Sequence, residues 1–204
     1  AERAKGGQGL IVIGNTRVSK AVPFWPYADP QLFDDRNLGP LSQIAKEVHK
    51  YGAKLFIQLF YGATERTLEI QQNNLYDDPD VELSVVAPSP IPYSVFPHVV
   101  PREMSREEIE ELTDDFGRAA RRAAEAGLDG IELHSAIQYL HWQFLSPFFN
   151  KRQDEYGGSL ENRARFLIET LQKIRKYVGE EIAVGYRITT DALWPGDLGI
   201  DEIK

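Results

Sequence analysis

The chain has 204 residues, of which 42% are hydrophobic and 26% are charged, so it is long enough to bury a core as one domain. Its formal net charge of −8 argues against a nucleic acid or an anionic membrane as partner, because both surfaces attract clustered lysine and arginine. The lack of cysteine excludes disulfides, thiolate zinc sites and any iron–sulfur cluster held by this chain, and we predict no other metal site.

No apolar run reaches the roughly 18 to 20 residues that a membrane-spanning helix requires. The start of the chain also lacks the hydrophobic segment of a signal peptide. The composition therefore predicts a soluble, cytoplasmic protein with no membrane partner. The sequence does not decide between a monomer and a homo-oligomer.

Four apolar segments are predicted strands. Each is a nearly continuous run of hydrophobic side chains, and in chain order they cover residues 9–15, 53–60, 130–133 and 182–189. Such runs are typical of strands that are covered on both faces of a parallel sheet. A polar side chain stands at or just after the carboxyl end of every one of them, in the order Asn15, Gln58, His134 and Arg187.

Helices are predicted between these strands, and most have a recognisable boundary residue. Ser105 with Glu108 has the spacing of a capping box, and glycine commonly ends a helix. We expect helices to begin at Ser105 and Ser159 and to end at Gly52, Gly127 and Gly179. Strands and helices that alternate in this way predict an α/β fold with a parallel sheet and right-handed crossovers.

A closed barrel and an open doubly wound sheet share this alternation, and the pattern alone does not separate them. No strand is followed by the GxGxxG or GxxxxGK[ST] motif of nucleotide-binding open sheets. Polar residues that converge from several strand ends favour a (β/α)8 TIM barrel, whose active site lies at that end. Only four strands are predicted, however, and a barrel closes at about eight. We therefore predict that residues 1–204 form part of a TIM-barrel domain.

The connection from the third strand to the last complete helix is the most informative segment. Residues 134–166 are far longer than a simple turn needs, and they end in DEYGGSLENRARF. Together with GGQGLIVIG, VHKYGAKLFIQL, PREMSREEI and VGYRIT, this motif resembles the old yellow enzyme family of FMN-dependent oxidoreductases. The similarity is greatest to the branch with trimethylamine dehydrogenase and 2,4-dienoyl-CoA reductase. It covers essentially the whole chain and implies strands two to five of the barrel, without strand one and strands six to eight.

The resemblance also implies the site. Arg187 matches the family's flavin-contacting arginine, which would stabilise the negative charge of the reduced ring. Gln58 matches a glutamine at the pyrimidine edge, and Asn15 is the third predicted cofactor-binding residue. His134 matches a ligand of the substrate carbonyl, and Tyr139 matches the tyrosine that protonates the alkene. Because Arg187 interrupts an apolar strand, we expect a buried cation, and an ion pair with a carboxylate is the alternative to a flavin contact.

Departures from the family pattern bear on the substrate. The residue three positions after His134, an Asn or His in many relatives, is Ile137, which removes one donor for an enone oxygen. The family sequence QLxHxGR has Tyr61 and Thr64 here in place of its histidine and arginine. The amine cage of trimethylamine dehydrogenase is not carried over, since one of its tyrosines falls at about Asn15. The resemblance therefore implies a flavin more directly than it implies alkene reduction or amine oxidation.

The resemblance predicts an FMN-dependent oxidoreductase that transfers hydride between the flavin and a small organic substrate. The reaction would be reduction of an activated alkene or a related dehydrogenation, with NAD(P)H as a reductant. The FMN phosphate would be held near strands seven and eight, which this chain lacks. Two alternatives stay open: a flavin-free TIM-barrel lyase or isomerase that uses His134 and Tyr139 as acid and base, and a non-catalytic fragment of the family.

Overall fold

Four parallel strands form the sheet that carries the site. The structure is a computed structural model and describes residues 1–20, 30–62, 85–92, 100–136, 139–192 and 196–203. Its strands are β1 (Leu10–Arg17), β2 (Lys54–Phe60), β3 (Val86–Ala87), β4 (Arg102–Glu103), β5 (Gly130–Ser135) and β6 (Ala183–Ile188). β1, β2, β5 and β6 lie side by side in that order, and every pair is parallel. β3 and β4 pair separately.

The helices connect neighbouring strands. They are α1 (Glu2–Lys5), α2 (Leu38–His49), α3 (Arg106–Glu125), α4 (Leu140–Leu145), α5 (Leu160–Val178) and α6 (Ile200–Ile203), with a 3₁₀ helix at Asp35–Asn37. No helix of the described ranges is long and apolar enough to cross a membrane. Sheet neighbours follow one another along the chain, apart from the β3–β4 pair inside one connection. This order is that of a (β/α)8 barrel, whereas a doubly wound sheet reverses its strand order at a switch point.

The side chains of β2 and β5 alternate between two faces of the sheet. Five of them are completely buried in the hydrophobic core: Leu55, Ile57, Leu59, Ile131 and Leu133. Gln58, Glu132 and His134 alternate with these and lie on the opposite face. The register pairs Gln58 with Glu132 and His134 with Arg187. These four polar residues therefore share one face, which is the interior face of the barrel.

The two outer strands are less covered than the sequence pattern predicts. Leu10 and Val12 of β1 are 45% and 38% exposed, and Tyr186 of β6 is 51% exposed. Within the described residues, β1 and β6 are the first and last strands of the sheet, so each has one open edge. The prediction of burial on both faces therefore holds for β2 and β5 and is wrong for β1 and β6.

The two long helices begin at the predicted caps. The Ser105 hydroxyl accepts a hydrogen bond from the Glu108 N–H, and the Glu108 carboxylate accepts one from the Ser105 N–H, which completes the capping box of α3. Ser159 caps α5 by accepting from the N–H of Asn162. Gly127 follows α3 with a φ of 85°, a left-handed conformation that glycine adopts without steric cost.

The connection from β5 to α5 contains structure that the sequence pattern did not predict. All residues of α4 are buried. Beyond α4, the Asn150 side-chain amide donates to two backbone carbonyl groups, each at 2.7 Å. The Arg152 guanidinium donates to the carboxylate of Asp154 and to the carbonyl oxygen of Met104, each at 2.6 Å. The segment that carries much of the family resemblance thus anchors the residues after β4 to the barrel.

Asp129 joins the amino-terminal ends of β2 and β5. Its carboxylate accepts from the Leu55 N–H at 2.9 Å and from Lys54 Nζ at 2.8 Å, and it lies 2.6 Å from His49 Nε2. We expect Asp129→Ala to lower the free energy of unfolding by about 1–3 kcal/mol, because the Leu55 N–H loses its acceptor. Urea denaturation measures this loss of stability. Glu47→Ala, which breaks an exposed ion pair with Lys50, is the control and should cost little. Equal losses in the two variants would contradict this role of Asp129.

Candidate active site

The carboxyl-terminal ends of the four strands bring the predicted site residues to one edge of the sheet. Asn15, Gln58, His134 and Arg187 each lie within two residues of the end of their strand, and Tyr139 directly precedes α4. Asn15 Nδ2 donates to the Tyr139 hydroxyl at 3.4 Å. The ring centroids of His134 and Tyr139 are 4.1 Å apart. We refer to these five residues as the strand-end cluster.

Asn15 occupies a bend in β1. Its φ is 44°, and the pairing of β1 with β2 is irregular between Ile13 and Thr16, which marks a bulge. Asparagine adopts this left-handed conformation more readily than most residues, because its short polar side chain can bond locally. The bend lets the Asn15 backbone N–H reach Gln58 Oε1 at 3.5 Å while its side chain bonds Tyr139.

Glu132 is a site residue that the sequence analysis did not single out. It lies opposite Gln58 in the register of β2 and β5, and its carboxylate accepts a hydrogen bond from Gln58 Nε2. Because Gln58 Oε1 accepts from the Asn15 N–H, both ends of the Gln58 amide are oriented by neighbours. The sequence did contain a signal, since Glu132 is an acid within an apolar strand and lies two residues before His134, on the same face.

His134 is buried and neutral. It is 6% exposed, and its Nδ1 accepts a hydrogen bond from the Ala136 N–H at 3.3 Å. Burial, together with the positive charge of Arg187, lowers the pKa of His134 to about 4. At neutral pH the ring therefore carries its single proton on Nε2. This makes Nε2 a hydrogen-bond donor of the kind that a carbonyl oxygen requires.

A second buried histidine adds to the pH dependence of stability. His141 is completely buried in contact with the rings of Phe116 and Phe166. Burial, together with the nearby His134, lowers the pKa of His141 to about 3. In the unfolded chain a histidine has a pKa near 6.5. As the pH falls from about 6.5 towards 4, the unfolded state binds protons that the folded state does not, so stability falls.

We expect the free energy of unfolding to fall by up to about 1.4 kcal/mol per pH unit for each of these histidines. Urea denaturation between about pH 7 and pH 5 measures the slope. His141→Phe keeps an aromatic ring at this position and should reduce the slope of stability against pH by about half. A stability that is constant over this range, or a variant with the wild-type slope, would contradict the assignment of two neutral histidines.

Arg187 lies at the same edge of the sheet but is exposed. β6 is the last strand of the described sheet, so no neighbouring strand covers the guanidinium on that side. The expectation of a buried cation is therefore wrong for this structure. No carboxylate of the described ranges forms an ion pair with Arg187, so the alternative of a structural ion pair is not realised among them.

Two departures from the family pattern, Ile137 and Thr64, lie outside the described residues. Tyr61, which stands in place of the family's histidine, is buried and lines a separate cavity of about 310 Å³. Arg102 and Glu108 also line that cavity and form an ion pair. The predicted effects of Ile137 and Thr64 on substrate choice stay predictions.

The polar groups on the interior face suit the pyrimidine edge of a flavin. Gln58 Nε2 has a second hydrogen besides the one that it donates to Glu132. The Arg187 guanidinium has several N–H donors that can stabilise negative charge on a ring. Gly185 lies opposite Glu132 on β6. A Cβ atom added to Gly185 would have no other atom within 4 Å, so this part of the interior face is open. The donors and the open face therefore fit an FMN ring.

Parallel strands in sequential order, with a polar cluster at their carboxyl ends, define the chain as part of a (β/α)8 barrel. The NADH:flavin oxidoreductase / NADH oxidase family matches residues 1–203, and the chain belongs to this family. The NADH oxidase of Thermoanaerobacter brockii is 39% identical to it over 202 residues, which are 99% of this chain and 30% of that protein.

Two solved structures of relatives share the fold. Old Yellow Enzyme from Pichia sp. AKU4542 superposes with a TM-score of 0.78 and 30% identity, over 97% of this chain and 52% of that chain. Histamine dehydrogenase from Rhizobium sp. 4-9 gives a TM-score of 0.81 and 29% identity, over 98% of this chain and 28% of that chain. The predicted family and the partial TIM barrel are confirmed, and the chain spans about half or less of each of these relatives.

Proposed function

We propose that the protein is an FMN-dependent oxidoreductase that transfers hydride between the flavin and a small organic substrate. The reaction is reduction of an activated alkene, with NAD(P)H as the reductant, or a related dehydrogenation. Membership of the NADH:flavin oxidoreductase family supports this, as does the similarity to an NADH oxidase. The observation that carries the proposal is the strand-end cluster. In it, residues that match the family's flavin-contacting positions and residues that match its substrate-contacting positions lie at one edge of the sheet.

Gln58, Arg187 and Asn15 are the proposed cofactor ligands. FMN, when bound, supplies a ring that accepts or donates a hydride. The free Nε2 hydrogen of Gln58 and the guanidinium of Arg187 would donate to the electronegative atoms of its pyrimidine edge. Arg187 would also stabilise the negative charge that reduction places there, because a fixed cation favours the more negative form.

His134 and Tyr139 are the proposed substrate-side residues. The Nε2–H of neutral His134 would donate to a carbonyl oxygen and so polarise the conjugated alkene. Tyr139 would give its phenolic proton to the alkene carbon that does not receive the hydride, because a phenol with a pKa near 10 is protonated at neutral pH. The side-chain Nδ2–H of Asn15, which faces the phenol oxygen, would stabilise that oxygen as the proton leaves.

We further propose that residues 1–204 supply strands two to five of the FMN-binding barrel, by correspondence with the family. The cofactor phosphate would then bind near strands seven and eight of the complete barrel. A cytoplasmic location belongs to this proposal, and so does a small-molecule substrate as the main binding partner.

Anaerobic spectroscopy tests the proposed function. The full-length protein, purified and supplied with FMN, should show the visible absorption of a bound flavin after gel filtration. NADH or NADPH should bleach that absorption, and an enone such as cyclohexenone should restore it. A protein that stays colourless after FMN treatment would contradict the proposal and favour a flavin-free lyase or isomerase, or a non-catalytic member of the family.

A further inference from the structure

We propose that Glu132 is a positioning residue of the flavin site, which fixes the orientation of the Gln58 amide and places a negative charge beside the ring. The inference rests on the proposed function and deepens it. Glu132 is hydrogen-bonded to Gln58, so it acts on FMN binding through Gln58 and on the potential of the ring through its charge.

The hydrogen bonds around Gln58 permit one amide orientation. An ionised carboxylate only accepts hydrogen bonds, so the Gln58 Nε2 group must face Glu132. A backbone N–H only donates, so the Gln58 Oε1 atom must face Asn15. A flipped amide would set an oxygen against the carboxylate and an N–H group against the Asn15 N–H. The remaining Nε2 hydrogen is therefore presented to a ligand in one defined direction.

The position of Glu132 in the sheet places its charge close to the same ligand. Its register partner on β6 is Gly185, which adds no side chain beside the carboxylate, and the next pair along this face is His134 with Arg187. Among the described residues, Glu132 and Arg187 form no ion pair with each other. Two charges of opposite sign therefore act separately on a bound ring. Arg187 favours reduction of the ring, and Glu132 opposes it.

Glu132→Gln keeps the shape of the side chain but removes its charge and lets it donate as well as accept. We expect the Kd for FMN to rise about tenfold, because a neutral amide accepts more weakly than a carboxylate and no longer fixes the orientation of the Gln58 amide. The midpoint potential of the bound flavin should become more positive, whereas Arg187→Met should make it more negative. Glu125→Gln, the same change at an exposed position on α3, should alter neither quantity.

A double-mutant cycle with Gln58→Leu separates a positioning role from a general structural one. If Glu132 acts through Gln58, adding Glu132→Gln to Gln58→Leu should change the Kd for FMN by less than about twofold. Effects that add in full would overturn the proposal. If Glu132→Gln does not fold, as judged by circular dichroism, Glu132→Asp takes its place in the cycle under the same criterion, because its shorter carboxylate withdraws from Gln58.

Separate measurements test FMN binding by the protein and the role of Glu132 in it. A wild-type protein that binds no FMN overturns the proposed function and, with it, the role of Glu132. A wild-type protein that binds FMN, together with a folded Glu132→Gln variant of unchanged Kd and unchanged midpoint potential, overturns the role of Glu132 alone.

Discussion

Tyr139→Phe is expected to slow the reduction of an activated alkene by about 10²- to 10⁴-fold, because it removes the proposed proton donor and keeps the ring. The Tyr139 hydroxyl oxygen accepts from Asn15 Nδ2 at 3.4 Å, so that contact does not use the phenolic proton. The ring packs against His134, at 4.1 Å between centroids, and against Phe60 at 5.5 Å, so a phenyl group can keep its place.

Stopped-flow measurements of the two half-reactions isolate this effect. Reduction of the flavin by NAD(P)H and its reoxidation by oxygen should proceed in the Tyr139→Phe variant as in the wild type, while reoxidation by the alkene slows. Tyr51→Phe, at an exposed position after α2, is the matched control and should change no rate. Alkene reduction at the wild-type rate in the Tyr139→Phe variant would remove this residue from the chemistry.

Arg152→Met is expected to lower the free energy of unfolding by about 3–5 kcal/mol, because it breaks a buried charge pair. The Arg152 side chain is 3% exposed, and its guanidinium donates to Asp154 at 2.6 and 2.9 Å and to the Met104 carbonyl oxygen at 2.6 Å. It also lies 5.8 Å from the ring centroid of Phe144. Methionine retains much of the volume but leaves the Asp154 carboxylate and the Met104 carbonyl without their buried donor.

Denaturant unfolding, followed by circular dichroism, compares this variant with Arg118→Met. Arg118 pairs with Asp115 on the surface of α3, where its side chain is 43% exposed, so the same change should cost less than about 1 kcal/mol. If the two variants lose equal stability, the network around Arg152 is not what stabilises the connection from β5 to α5.

The fold was predictable from sequence where short-range contacts decide the structure. Ser105 and Ser159 mark helix starts because each caps an N–H group three residues further on. The strands β2 and β5 were predicted from their apolar runs, because both faces of each strand are covered. α4 and the β3–β4 pair were not predicted, since their position depends on contacts such as that of Arg152 with Met104, 48 residues apart.

The members of the candidate site were predictable, and their surroundings were less so. Polar residues at strand ends identify Gln58 and His134, because parallel strands bring their carboxyl ends to one edge. The exposure of Arg187 was missed because a cation within an apolar run was taken to be buried, although the predicted strand order already places its strand at the end of the sheet. Glu132 was missed because its partner, Gln58, is 74 residues away in sequence and becomes its neighbour only in the register of the sheet.

The claim that the strand-end cluster holds a flavin is tested by a crystal structure of the full-length protein with FMN. We predict electron density for the isoalloxazine ring on the interior face of the sheet, with its pyrimidine edge within hydrogen-bond distance of Gln58 Nε2 and of the Arg187 guanidinium. A structure in which a carboxylate holds the Arg187 guanidinium, with no space for a planar ring beside it, would contradict the claim.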